Sequence, residues 1–198
     1  LEVEGHKFSA KHILISTGGT ATVPAVEGRE HVVTSDHMFD LKPFPQRLLV
    51  VGGGYIACEF SSIFNGLGAH VTQVHRGEML LTGFDDDIRG FIASEMSKTG
   101  VNLLFKTEVE SITKTADGLV VKLKGQDASF TVDTVLYATG RVPNASGLGL
   151  EAVGVEVDKQ GAIKVDAHYK TSVPSIYALG DVTARMQLTP VALGEAMV

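Results

Sequence analysis

Residues 48–59 read Leu-Leu-Val-Val-Gly-Gly-Gly-Tyr-Ile-Ala-Cys-Glu, and this run constrains the fold more than any other. Four consecutive apolar residues bounded by glycine read as a strand buried on both faces. After the glycines, Ile56, Phe60, Ile63, Phe64 and Leu67 recur at helical spacing, and Gly68 closes the helix. His70–Val74 follows as a second strand. Strand, glycine turn, helix and strand make the βαβ unit that binds dinucleotides. Gly52 lets the chain turn sharply, Gly54 leaves no Cβ between the backbone and a pyrophosphate, and Ala57 allows close helix–strand packing. The N–H groups of the first helical turn, Tyr55 and Ile56 among them, face the phosphates with the helix dipole behind them. A lone Gly-x-Gly-x-x-Ala is weak, since a βα turn can be glycine-rich without binding anything. Here the flanking strands and the amphipathic helix supply the required context.

The rest of the chain extends the pattern. Phe84-Asp85-Asp86-Asp87 opens a helix that runs to about Lys98 and ends at Gly100. Val101–Phe105 reads as a buried strand, and Val109–Thr113, Leu119–Leu123 and Phe130–Val132 alternate apolar with polar residues, with Asp117-Gly118 as the turn of the first hairpin. Thr134–Ala138 is a further buried strand that runs into Thr139-Gly140-Arg141. Upstream, Ile13–Thr17 ends at Gly18-Gly19, and a loop-rich stretch follows in which Thr34-Ser35-Asp36 precedes a short helix. Downstream, Ile176–Leu179 ends at Gly180-Asp181, and a last helix starts at Thr189-Pro190, with Thr as cap and Pro at the first helical position. Ile13–Gly18 and Leu136–Gly140 echo one another, which implies two related nucleotide domains interleaved in sequence.

A net charge of −6 argues against a polyanionic nucleic-acid partner. No apolar run approaches the roughly 18 residues of a membrane span. The single cysteine, Cys58, excludes an internal disulfide and a cysteine metal cluster, and it reads as a small buried filler of the motif helix. The seven histidines show no ligand spacing, so no metal is expected. Leu1-Glu2-Val3-Glu4-Gly5 resembles the middle of a hairpin, and the chain is expected to be an internal piece of a longer protein.

Four segments in order carry a family resemblance: Ser16-Thr17-Gly18-Gly19, the turn Gly52–Glu59, Ala138–Asn144 and Tyr177–Val182. Together they resemble the flavin-dependent pyridine nucleotide–disulfide oxidoreductases. Val33–Asp36, Gly54–Ala57, Phe64–Gly68 and Leu188–Ala192 are most similar to its glutathione reductase members. The resemblance implies an α/β, Rossmann-like FAD/NAD(P)-binding fold, a central parallel sheet with helices on one face and a three-stranded antiparallel meander on the other. It implies residues 1–17 as the end of the first part of an FAD-binding domain, 18–143 as an NAD(P)-binding domain and 144–198 as the second part of the FAD-binding domain. The implied cofactors are NADP and FAD, the implied substrate is oxidised glutathione or a related disulfide, and the implied parent is a cytoplasmic homodimer. A first flavin motif and a redox Cys-x-x-x-x-Cys are expected upstream, and a dimerisation domain with a His-Pro pair downstream. The piece alone is then not catalytically complete and is not expected to keep FAD. The alternatives are a dihydrolipoamide dehydrogenase, mercuric reductase or NADH-using relative, and a stand-alone NADP-binding module.

Residue roles follow from both readings. A carboxylate at the tip of the second strand would favour NAD, and a basic residue accommodates the 2′-phosphate of NADP. This strand ends in Val74-His75-Arg76, so Arg76 is the candidate phosphate clamp, with His75 beside it. The NADPH-using relatives carry a second Arg before Gly-Phe-Asp. Thr82 stands there, and Glu78 adds negative charge, so a weaker preference is expected. By resemblance Tyr55 lids the flavin, and Glu59 pairs with a lysine outside this chain. In this chain alone Glu59 is expected to be exposed or to have a raised pKa. Thr139 and Gly140 give backbone access to the cofactor, and Arg141 either meets the nicotinamide side or braces the domain junction. Gly180-Asp181 matches the family aspartate that holds the ribityl chain. Leu188 and Thr189 open a helix whose dipole would face the flavin pyrimidine edge.

Overall fold

The computed structural model describes residues 1–127 and 129–198. It separates into two compact units, one of residues Ala21–Gly140 and one formed from Leu1–Thr20 with Arg141–Val198.

The first unit is built on a four-stranded parallel sheet. Its labelled elements are β1 (Arg47–Val51), α1 (Tyr55–Gly66), β2 (His70–Val74), α2 (Asp86–Lys98), β3 (Asn102–Leu104), β4 (Val109–Thr115), β5 (Gly118–Leu123), β6 (Ser129–Val132) and β7 (Thr134–Tyr137). The sheet order is β7-β1-β2-β3, and β4, β5 and β6 form a separate antiparallel meander. Side chains alternate across β1, which is why the run had to be apolar throughout. Leu48 and Val50 pack with Ala57, Phe60, Phe64 and Met96 of the two helices, while Leu49 and Val51 pack with Ile112, Val121, Leu123 and Val132 of the meander. The expected three layers, helices, parallel sheet and meander, are all present.

Three details differ from the sequence reading. The buried stripe of α1 runs along Ala57, Cys58, Phe60, Ser61 and Phe64, so Ile63 and Leu67 are 47% and 66% exposed. Small side chains at 57 and 61 let the helix lie close to the sheet and rotate the apolar pair out. Phe44 stacks on Phe64 at 5.4 Å and Phe39 meets Phe60 edge-on at 5.5 Å, covering part of that flank. β3 is half-buried rather than buried, because it is the sheet edge. The first hairpin turns at Ala116-Asp117, one residue earlier than expected, since Thr115 already pairs with Gly118. Gly118 has φ +129°, and a Cβ there would lie 2.5 Å from the Val132 carbonyl oxygen, so the glycine serves close strand approach.

The helix ends follow local chemistry. Asp85 Oδ1 accepts from the N–H groups of Asp87 (3.0 Å) and Ile88 (3.3 Å), capping α2. α1 ends with Gly68 N–H bonded to Asn65 and Ala69 N–H to Phe64, the paired pattern that satisfies terminal carbonyls.

Asp133, between β6 and β7, anchors the start of β1. Its carboxylate accepts from the backbone N–H groups of Gln46 (2.9 Å) and Arg47 (2.8 Å), and from Arg47 Nε (3.0 Å) and Nη2 (2.5 Å). The Arg47 guanidinium holds this carboxyl below its usual range, backbone N–H donors assist, and partial burial opposes them. Depression in the folded state means stability gained above the unfolded-state value and lost as pH falls through the folded one. Asp133→Asn is expected to destabilise by about 1–2 kcal/mol at pH 7. In denaturant titrations the gap to wild type should close as the pH falls below about 4.

In the second unit, Ile13–Ile15 pairs in parallel with Ile176–Ala178. Leu150, Val155, Ile163, Ile176, Ala178 and Val182 form its core. Thr17 Oγ1 donates to the Asn144 carbonyl (2.7 Å), and Asn144 N–H donates to Gly18 (2.9 Å), lacing two of the sequence markers together. The last helix, α3, spans Thr189–Glu195. Its cap position is Leu188, with extended backbone and no side-chain cap, so Thr189 begins the helix rather than capping it and Pro190 lies second. Proline is tolerated there because the N–H it lacks has no intrahelical acceptor in the first turn.

Candidate functional site

The C-terminal ends of β7, β1 and β2 are neighbours in the sheet, so Thr139-Gly140, Gly52–Gly54 and His75-Arg76 gather at one edge. Ligands of open α/β sheets bind at this kind of edge. The three glycines differ in what surrounds them. Gly52 has φ +145°, and a Cβ would lie 2.3 Å from the Ala138 carbonyl oxygen. A Cβ on Gly53 would lie 2.5 Å from the His75 ring. Protein atoms therefore explain both. Gly54 has φ −82° and open space where its Cβ would be. No described atom would meet a Cβ at 54, which leaves the backbone there open to a closely approaching ligand. Gly54 is also the N-cap of α1, so the N–H groups of Tyr55, Ile56 and Ala57 have no intrahelical acceptor and are available to an anion.

Tyr55 and Glu59 are both exposed on α1, and the exposed carboxylate is one of the two outcomes expected for Glu59. Cys58 is buried, and burial pushes its thiol pKa up, in keeping with a filler.

His75 is half-buried, its ring wedged where Cβ atoms on Gly53 and Gly77 would be. Burial pushes its pKa down, and the positive charges of Arg76 and Arg89 push it further. Both effects disfavour the charged imidazole, and the ring shapes the turn beside Arg76. Arg76 is exposed and makes no hydrogen bond or ion pair among the described residues. Glu78, expected to add negative charge, is paired to Lys106 at 2.8 Å. Thr82 is exposed and follows Leu81, a buried residue at φ +55° whose N–H donates to the Gly53 carbonyl at 2.6 Å.

Thr139 Oγ1 donates to the Thr22 carbonyl (3.2 Å), and Thr22 N–H donates to Gly140 (3.0 Å). In the other unit the Arg141 guanidinium donates to the Gly19 carbonyl. There too, Gly180 and Asp181 lie in a short turn, Gly180 to Thr183, closed by Thr183 Oγ1 donating to the Gly180 carbonyl at 2.8 Å. Leu188 and Thr189 are exposed at the start of the seven-residue α3.

Three structural residues escaped sequence reasoning. Gln73 is 1% exposed within β2, and its Nε2 donates to the Gly52 carbonyl at 3.0 Å. Its only signal is a lone amide in an apolar strand. Arg89 Nε donates to the Leu80 carbonyl (2.7 Å) and its Nη1 meets Asp86 (2.5 Å), bracing the segment that holds Thr82. Glu195 is 7% exposed and accepts the Gly180 N–H at 2.7 Å, fixing the Gly-Asp turn from α3. Among the described residues no three His, Cys, Asp or Glu side chains cluster to hold a metal ion, and no helix is long and apolar enough to cross a membrane.

A parallel sheet with a glycine turn at its carboxyl edge defines a nucleotide-binding α/β protein. Residues 1–196 match the pyridine nucleotide-disulphide oxidoreductase family, and the chain belongs to that family. It is 50% identical over 193 residues to a glutathione reductase of Burkholderia cepacia, covering 98% of this chain and 43% of that protein. It is 47% identical to the chloroplastic/mitochondrial glutathione reductase of Pisum sativum, covering 100% and 36%, and 42% identical to trypanothione reductase of Leishmania donovani, covering 95% and 39%. The HOCl-induced flavoprotein disulfide reductase RclA from Escherichia coli superposes with a TM-score of 0.88 at 33% identity, covering 94% of this chain and 43% of that one. The chain spans less than half the length of these relatives. The resemblance to the family and the Rossmann-like fold read from the sequence are both borne out.

Proposed function

We propose that this chain is the NADPH-binding region, with part of the FAD-binding region, of a flavoprotein disulfide reductase of the glutathione reductase type. Residues 18–143 are then the NAD(P)-binding domain, and 1–17 with 144–198 are parts of the FAD-binding domain. The parent is a cytoplasmic homodimer that reduces oxidised glutathione or a related disulfide, and the chain alone is not catalytically complete.

One observation carries the nucleotide reading. At the sheet edge the glycine that faces open space, Gly54, opens α1, and the exposed guanidinium of Arg76, with no hydrogen bond or ion pair among the described residues, stands at the end of the next strand. Gly54 and the first-turn N–H groups suit a pyrophosphate. The Arg76 fork suits a 2′-phosphate, to which a Thr82 hydroxyl supplies no charge, and His75 stands beside it. When bound, FAD would supply the redox chemistry between NADPH and a disulfide, which this chain's residues do not themselves carry out. Tyr55 and Glu59 lie one turn apart on α1, and both are assigned to the flavin side of the nucleotide. Asp181, its turn pinned by Glu195, is assigned to the ribityl hydroxyls, Thr139, Gly140 and Arg141 to cofactor contacts, and Leu188 and Thr189 to the flavin edge.

The test is NADPH oxidation by the full-length protein supplied with oxidised glutathione. Disulfide-dependent oxidation that is faster with NADPH than with NADH is the expected result. Faster oxidation of NADH would favour the NADH-using relatives, and no disulfide-dependent oxidation of either would overturn the proposal.

A further inference from the structure

Thr82 leaves the proposed phosphate site one cation short, yet a second cation is bound to the same turn through its backbone. Three backbone hydrogen bonds clamp residues 104–107 to residues 75–77. His75 N–H donates to Leu104 (2.9 Å), Thr107 N–H to His75 (3.0 Å) and Lys106 N–H to Gly77 (3.0 Å). Arg76 lies inside that clamp. Lys106 has φ +51°, a backbone conformation uncommon outside glycine. Its Nζ lies 2.8 Å from Glu78 Oε1.

We propose that Lys106 is the second cation of the 2′-phosphate site and that Glu78 holds it until a phosphate takes the place of the carboxylate. This rests on the reading of Arg76 given above. The side chains of Lys106 and Glu78 are 69% and 78% exposed, and a pair so open to water contributes little, so its exchange costs little. A phosphate monoester carries about −1.5 to −2 charges near neutral pH, with three acceptor oxygens, against the single charge of a carboxylate. Lys124 is engaged by Glu108.

The experiment titrates the full-length protein by calorimetry with adenosine 2′,5′-bisphosphate and, in parallel, adenosine 5′-monophosphate, which lacks only the 2′-phosphate. Lys106→Ala is expected to weaken the bisphosphate by about 3- to 10-fold and to leave the monophosphate unchanged. Lys106→Gln, which keeps most of the chain length, should do the same. Glu78→Gln is expected to tighten the bisphosphate by about two- to threefold, and this gain should vanish when Lys106→Ala is present. If Arg76→Ala weakens the bisphosphate while both Lys106 variants leave the ratio of the two affinities unchanged, Lys106 is not part of the site and the Arg76 reading stands. If Arg76→Ala also leaves the ratio unchanged, or the wild type binds neither compound, the 2′-phosphate reading falls and the role of Lys106 with it.

Discussion

Gly52→Ala is expected to destabilise the protein by about 3–5 kcal/mol, enough to unfold a marginal domain. At φ +145° an added Cβ would lie 2.3 Å from the Ala138 carbonyl oxygen and 2.9 Å from its carbon. Those atoms are backbone at the end of β7, and they cannot move without breaking the Ala138 N–H bond to Val51, which is 2.8 Å long. Gly54→Ala makes the matched control. Its Cβ meets nothing within 4 Å, and its φ of −82° suits alanine. It should cost less than about 1 kcal/mol, the difference between Gly and Ala at an N-cap. Affinity for NADPH should nevertheless fall at least about tenfold, because the methyl group occupies the space through which a pyrophosphate approaches the backbone. Urea denaturation and nucleotide titration of the two variants separate the effects. A Gly54→Ala protein with unchanged affinity would show that the backbone at 54 is not a phosphate contact.

Arg76→Ala is expected to weaken NADPH by about 10- to 100-fold while changing NADH by less than about twofold. A charge-assisted, two-pronged contact to the 2′-phosphate is lost in the first case and does not exist in the second. Arg76→Lys should recover part of the loss, since an ammonium keeps the charge without the fork. The effect should shrink at high salt, because Arg76 is exposed and its field is screened. Equal losses for the two nucleotides would instead mark Arg76 as a general support of the turn.

The sheet was legible in the sequence because its signals are local. The apolar run 48–51 of β1, alternating β4 and β5, and acidic and glycine signals at the helix ends each depend on residues a few positions apart. Errors arose where a partner decides the outcome. The helical spacing of Ile63 and Leu67 is sound, but small residues at 57 and 61 rotate the buried face away from them. Asp117-Gly118 has the composition of a turn, yet Gly118 belongs to β5 because Val132 approaches it. In the candidate site the glycines and Arg76 stood out by type and spacing. Gln73, Arg89, Glu195 and Lys106 did not, because each acts on backbone that lies 9 to 29 positions away: Gln73 on Gly52, Arg89 on Leu80, Glu195 on Gly180 and Lys106 on Gly77. The lowered pKa of His75 likewise depends on burial, its ring lying against Gly53 and Gly77, which adjacency to Arg76 does not reveal.

The proposed dinucleotide site of this chain is one that reads a 2′-phosphate. Calorimetric titration of the chain with NADPH and NADH in parallel, at low and high salt, tests it most directly. NADPH is expected to bind more tightly, with a margin that narrows as salt rises. Equal affinities for the two nucleotides, or tighter binding of NADH, would contradict it.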